Sequence, residues 1–339
     1  MIRLPKFRYA LLALFTLSVA LQSPVDDGVI TFGTVNKFDM TFVEIGDPGN
    51  VNDRTGDPGT AGSVAYAYQL GKYEVSRDMI TKYNANYGTA KGLAIDMPSM
   101  SFLTGGARDA MPATGVSWNE AARFVNWLNT SRGYQAAYNF TTTGVNDNIA
   151  LWSSAQAWQL GGENLFRHKD AHYWLPSMDE WYKAAYYDPV SGTYFDYPTS
   201  DGSLPTAVTG GTADKTAVYD QSFSQGPADI TQAGGLSAYG IMGLGGNVWE
   251  WQETELDLLN DSVSSSRGVR GGGWDYGSGF LSSSGRGSVF PGGESIDIGF
   301  RVASLSSSAN DVVPEPGSVL VWGLLGLAGF FVGRKRLRK

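Results

Sequence analysis

The sequence predicts an α+β fold that is loop-rich and short of helices, and three observations carry that prediction. Gly makes up 44 of 339 residues, about 13% against a usual ~7%, which implies many tight turns. Helical periodicity is confined to three short stretches before residue 188, and beyond it Gly turns and short β-branched or aromatic runs continue to Ser304. A content of 42% hydrophobic and 13% aromatic residues supplies ample core, so the chain folds rather than staying disordered.

Taken in order, residues 24–60 are rich in Gly, Asp, Asn and Pro. The near-duplicate turns Gly46-Asp47-Pro48-Gly49 and Gly56-Asp57-Pro58-Gly59 read as one loop, with no repeat period following. Residues 21–60 are therefore set apart as an N-terminal segment. The runs Ala65–Leu70 and Lys72–Val75 alternate as strand, and Ser76 caps a short helix through Lys82 and Tyr83. Ser117-Trp118-Asn119-Glu120 has the capping-box spacing, and Trp118, Ala121, Ala122, Val125 and Leu128 recur at helical intervals. Ser177-Met178-Asp179-Glu180 repeats the box and places Trp181, Ala184 and Ala185 on one face. Each Trp reads first as a large apolar anchor with one N–H to satisfy.

Composition closes several chemistries. The chain has no Cys, which excludes disulfides, thiolate metal sites and a cysteine nucleophile, and its two His cannot form a three-histidine centre. The formal charge is −8, yet eight of the 25 basic residues sit in 1–20 and 317–339, leaving 17 basic side chains against 33 acidic ones between them. Such an acidic body is unsuited to nucleic acid, whose phosphates demand a basic face. No Gly-x-Ser-x-Gly elbow or phosphate-cradling Gly loop is present, and spacing selects no carboxylate pair for glycoside hydrolysis.

The two ends read as addresses. Arg3, Lys6 and Arg8, the apolar run Tyr9–Ala20 and the small residues Ser18 and Ala20 form a secretory signal over 1–20. After a linker at 306–316, the apolar stretch from Gly317 to Gly333 is long enough for a minimal membrane span, and the basic tail from Arg334 to Lys339 suits cytoplasmic retention. Pro314-Glu315-Pro316, the apolar segment and the basic end together resemble PEP-CTERM sorting signals. That resemblance implies an exosortase-like partner, anchoring in the inner membrane through 317–339, and then release or transfer to the cell surface.

Between the ends, five motifs stand in one order. They are Gly71-Lys72-Tyr73-Glu74-Val75-Ser76; Met111–Trp118 running into Asn126-Trp127-Leu128; Trp174–Trp181; Gly245-Gly246-Asn247-Val248-Trp249-Glu250-Trp251; and Val269–Trp274 with Gly299-Phe300-Arg301. Together they resemble the formylglycine-generating enzyme, or sulfatase-modifying factor, domain family, over residues 61–305. The resemblance implies a variant of the C-type-lectin-like fold. It also implies a pair of copper-binding catalytic cysteines after the Arg-Gly-Gly motif, where this chain has Tyr276 and Leu281, so no copper site of that kind is expected. A related branch holds iron with three His. Here His168 and His172, with Glu163 or Asp170, offer a two-His-one-carboxylate alternative, against which Arg167 and Lys169 would repel a cation. The family's calcium site carries over to the carbonyls of Gly246 and Val248 and the carboxylate of Glu250, although Gly243 stands where the family has Asn or Asp. The expectation is an exported binding or structural module whose partners are extracellular polysaccharide or surface proteins. The alternative is a diverged metal- or oxygen-dependent oxidase.

Overall fold

The structure, a computed structural model, describes residues 28–306 apart from 142, 143, 145, 146 and 148. The expected signal at 1–20, the Pro-Glu-Pro motif and the apolar stretch 317–339 lie outside the described residues. Among the described residues no helix is long and apolar enough to cross a membrane.

Strand β1 (Gly28–Phe32) leads into β2 (Phe38–Ile45), where Phe38, Met40 and Phe42 alternate inward at the period of a pleated strand. The N-terminal segment is thus not the plain loop that its Gly, Asp and Pro content suggests. Its turns occupy the part after Ile45, while β1 and β2 join the same sheet as β3 (Tyr68–Gly71). Only the second half of the alternating run 65–70 is strand.

Helix α1 (Arg77–Tyr83) begins where expected, with the Ser76 hydroxyl accepting the Met79 N–H. Helix α2 (Trp118–Ser131) starts on a complete capping box: Glu120 Oε2 accepts the Ser117 N–H at 2.8 Å, and the Ser117 hydroxyl accepts the Glu120 N–H. A hairpin follows, β4 (Ala157–Trp158) and β5 (Asn164–His168), then β6 (Tyr173–Trp174) and helix α3 (Met178–Tyr186), which has the second capping box on Ser177 and Glu180. The remaining labelled strands are β7 (Trp249–Glu255), β8 (Arg267–Arg270), β9 (Gly287–Val289), β10 (Ile298–Gly299) and β11 (Ala303–Leu305).

The first sheet has the order β1-β2-β3-β11-β6 with every pair antiparallel, and the second has the order β9-β8-β7-β10. Strand β11, the last described element, is inserted between β3 and β6, with Ala303 opposite both Leu70 and Trp174. The sheet therefore closes only when the end of the domain is in place. In the second sheet β10 runs parallel to β7, pairing Ile298 with Trp249, which brings Arg301 back beside the Gly-Asn-Val-Trp motif. This mixed, few-helix architecture is the α+β arrangement the sequence predicts.

Six motif Trp residues, Trp118, Trp127, Trp181, Trp249, Trp251 and Trp274, are all buried. The N–H groups of Trp118 and Trp251 are accepted by the carbonyls of Gln252 and Val116, each at 2.9 Å, which ties α2 to β7. A second internal tie is polar. Arg167 on β5 lies between the carboxylates of Glu180 on α3 and Glu253 on β7, at 3.0 and 2.7 Å, with all three side chains essentially inaccessible. Tyr66 and Tyr138 donate to these carboxylates, and the Trp174 indole does the same. Every charge in the group has several partners, as burial requires.

Burial also sets a pH dependence. It pushes the Glu120 carboxyl up to about 7, opposed by hydrogen bonds from Ser117 and helped by the charges of Glu294 and Asp96. A raised folded-state value means that the native state holds this proton more tightly than the unfolded chain, so its contribution is full below about 4.5 and is lost as pH rises through about 7. Glu120→Gln is expected to flatten the fall in stability between those pH values, read as urea midpoints measured across the range. An unchanged slope would show that Glu120 does not titrate in that window.

Candidate functional site

Arg301 is the point at which the motifs meet. Its Nη1 donates to the Gly71 carbonyl at 2.8 Å, its Nη2 to the Met242 carbonyl at 3.0 Å, and its Nε and Nη2 to the two oxygens of Glu250. The Trp181 indole N–H adds a third donor to Glu250 at 2.7 Å, and both charged side chains are fully buried. Beside them Asn247, in the left-handed conformation at φ 63°, donates to Glu74 Oε1 at 2.7 Å and accepts the Ala228 N–H. Burial pushes the Glu74 carboxyl up to about 7, the neighbouring Arg301 drawing it down and Glu250 adding to the rise.

This geometry does not fit Glu250 as a calcium ligand. Its oxygens already accept from a guanidinium and an indole, and that guanidinium would repel a second cation. The Gly at 243 has a matching cause, because a Cβ there would lie 2.6 Å from Glu74 Oε1; the carboxylate occupies the space of the missing ligand side chain. Gly246, at φ 78°, is held by the Gly271 carbonyl, and a Cβ would meet the Val218 carbonyl at 2.2 Å. The carbonyl positions of Gly246 and Val248 thus belong to a turn whose form is set by packing.

The loop after β8 turns sharply at Gly271 and Gly272, both at positive φ. Leu281 is buried beside Ala217 and Tyr219. The Tyr276 hydroxyl donates to Asp297 at 2.7 Å, and its ring meets Trp249 and Phe280 edge-on with centroids 5.5 and 5.3 Å away. Backbone N–H groups of Asp220 and Gln221 bond the carbonyls of Tyr276 and Trp274, so the 220–225 segment runs alongside the loop. The Trp274 indole donates to the Phe223 carbonyl, and Phe223 stacks on Phe102 with centroids 4.6 Å apart and planes at 17°. Phe102, Phe223 and Phe280 are 37%, 49% and 44% exposed. Phe102 and Phe223 form an exposed aromatic shelf, and Phe280 is exposed on the loop that carries Trp274; partial burial and the charge of Asp297 raise the Asp275 carboxyl on that loop.

The His pair sits elsewhere. The segment is strand and turn rather than helix: β5 ends at His168, and Ala171 bonds back to its carbonyl. The His168 ring accepts the Asp170 N–H on Nδ1 and meets Trp152 edge-on, while His172 stacks flat on Tyr134 with centroids 4.3 Å apart. Burial lowers both rings, His168 against the opposing charge of Asp170, and His172 to about 4 with help from Arg132, so His172 is neutral at pH 7. Asp170 is paired with Lys169, and among the described residues no three His, Asp or Glu side chains gather as a metal-holding group.

A model of the sulfatase-modifying factor enzyme 1-like domain matches residues 31–305. The chain belongs to that family. A comparison with curated proteins returns no match. Among solved structures, Treponema denticola variable protein 1 aligns with a TM-score of 0.55 at 20% identity, over 82% of this chain and 99% of that one. CarF aligns at 0.55 and 19%, over 78% of this chain and 98% of that one. These likenesses show the fold. The family match begins inside β1, in keeping with the first two strands being part of the domain.

In the loop after the Arg-Gly-Gly turn, this sulfatase-modifying-factor-like domain carries Tyr276 as a hydrogen-bonded ring and Leu281 as a buried side chain. Sequence reasoning found that loop but missed the shelf. Phe102 and Phe223 are far apart in the chain and meet only because Thr104 N–H bonds the Ser224 carbonyl at 2.8 Å, for which no local pattern gives a signal.

Arg301→Met would leave Glu250 buried without its counter-charge, and a loss of about 3–5 kcal/mol is expected in chemical denaturation. Calcium or a chelator is expected to leave the melting temperature of the parent protein unchanged. A calcium-dependent rise would return Glu250 to the metal.

Proposed function

We propose that the protein is an exported, surface-directed binding module in which a sulfatase-modifying-factor-like domain has lost the family's cysteine chemistry and uses its loop surface to hold extracellular polysaccharide. The observation that carries this reading is the loop Trp274–Leu281. Tyr276 and Leu281 are committed to packing and hydrogen bonding, and Trp274 of the same loop supports an open shelf of Phe102 and Phe223, with Phe280 exposed further along the loop. Aromatic faces beside a carboxylate suit a sugar, whose C–H faces stack while its hydroxyls donate. The acidic body favours neutral or basic glycans over anionic ones. The secretory signal and the PEP-CTERM-like end support delivery to the surface through an exosortase-like enzyme.

A glycan array tests the assignment. The parent protein is expected to retain one class of neutral or amino-sugar polymer. A Phe102→Ala, Phe223→Ala double variant is expected to bind roughly tenfold or more weakly while remaining folded, with a melting temperature lowered only by the loss of their own stacked contact, since stacking contributes about 0.5–1.5 kcal/mol per ring pair. Equal binding by both would remove the shelf from the ligand site.

Family membership supports a second reading, a diverged oxygen- or metal-dependent oxidase. Elemental analysis of the purified protein separates the two. The binding reading expects no stoichiometric copper or iron. A bound redox metal that disappears in the His168→Ala, His172→Ala double variant would establish the oxidase instead.

A further inference from the structure

A cavity of about 200 Å³ lies between the β4–β5 turn, the first turn of α3 and the loop after β7, away from the residues of the aromatic shelf. That volume is below the ~300–1,000 Å³ usual for a whole drug-sized ligand and suits the end of one side chain. Its charged lining is unbalanced. Glu163, Arg167 and Asp179 face it, and Arg167 is already neutralised by both Glu180 and Glu253. Four carboxylates therefore share one local cation, with Arg270, tied to the carbonyls of Asp57, Ser283 and Gly285, adding a weaker positive charge at Asp179.

Asp179 is the group with capacity left. Its Oδ1 accepts the Gly62 N–H at 2.8 Å, and its Oδ2 takes no hydrogen bond among the described residues. Burial, opposed by the Gly62 N–H and the charge of Arg270 and helped by the charge of Glu180, raises this carboxyl to about 6. The rim is apolar: Leu160, 57% exposed, and Leu258 stand on opposite loops. The walls thus offer an aliphatic entrance leading to a single carboxylate oxygen. One oxygen matches a point-charge ammonium better than a planar guanidinium, which seeks two acceptors. Thr60 and Ser63 line both this cavity and a larger open groove beside Asn50 and Tyr194, so a chain lying in the groove can send a side chain inward.

We propose that this cavity is a binding site for a lysine side chain presented by a polypeptide partner, with the ammonium on Asp179 Oδ2 and the methylene stem between Leu160 and Leu258. The site is independent of the sugar shelf and goes beyond the polysaccharide reading. The long cationic side chain keeps its apolar stem on Leu and its charge on the acid, the division such side chains favour.

The test is a titration of the full protein with the peptide acetyl-Gly-Gly-Lys-Gly-Gly-amide at neutral pH and low salt, followed by heat or by Trp fluorescence. Saturable binding is expected, and it should weaken roughly tenfold or more when the peptide's lysine is Nε-acetylated or when Asp179→Asn is used. The Asn side chain still accepts the Gly62 N–H, and Leu160→Ser, at an exposed position, provides a second variant that should weaken binding several-fold without touching the fold. An arginine peptide that binds as tightly, an acetylated peptide that binds equally, or no saturation by the lysine peptide would each overturn the assignment. Glycan binding is expected to be unchanged in both variants, so failure here and failure of the shelf reading are distinguishable.

Discussion

A fully buried Arg301–Glu250 ion pair is the constraint on which the rest of this structure depends. Taking two charges out of water is tolerable only if every donor and acceptor is answered, and here the answers come from separate parts of the chain. Gly71 supplies a carbonyl from the end of β3, Met242 another from the approach to the Gly-rich turn, and Trp181 an indole N–H from α3. Three elements must therefore dock in register before the pair is satisfied. Arg301 lies just before β11, the strand that closes the first sheet, so the pair and the sheet's last strand are neighbours in the chain.

The same logic recurs at Arg167, Glu180 and Glu253, which join β5, α3 and β7. Glu180 is also the capping residue of α3, so one carboxylate ends a helix and neutralises an arginine. Arg270 binds the carbonyls of Ser283, Gly285 and Asp57, fastening the loop after β8 to the N-terminal turns. In a domain with few regular elements, buried arginines and indoles perform the work that long helices and wide sheets perform elsewhere. Arg270, Arg301, Trp118 and Trp251 reach carbonyls that no ladder would satisfy, while Arg167 and Trp181 hold buried carboxylates.

That organisation leaves rings of the loop surface exposed. Tyr276 and Leu281 are absorbed into packing and hydrogen bonding, and Phe280 on the same loop is held edge-on by Tyr276. The cavity beside α3 follows from the Arg167 network. Two carboxylates spent on one arginine leave Asp179 with the Gly62 N–H and the weaker charge of Arg270.

The sequence by itself determined the helix starts, because a capping box is a local pattern read within four residues, and all three Ser caps form where the spacing puts them. It also determined the burial of the six motif Trp residues, as large apolar bodies, and the absence of thiol chemistry, since the chain has no Cys. It misjudged residues 21–60, where turn residues outweighed the alternation of Phe38, Met40 and Phe42 that makes β2 a strand. Only the tertiary structure decided what the charged motif residues do. Glu250 reads equally as a calcium ligand or an arginine partner until Arg301, 51 residues later, is placed on it. The stacking of Phe102 on Phe223 and the unpaired oxygen of Asp179 are likewise products of long-range closure. A carboxylate's role is set by the charge that folding brings to it, and spacing along the chain does not encode that distance.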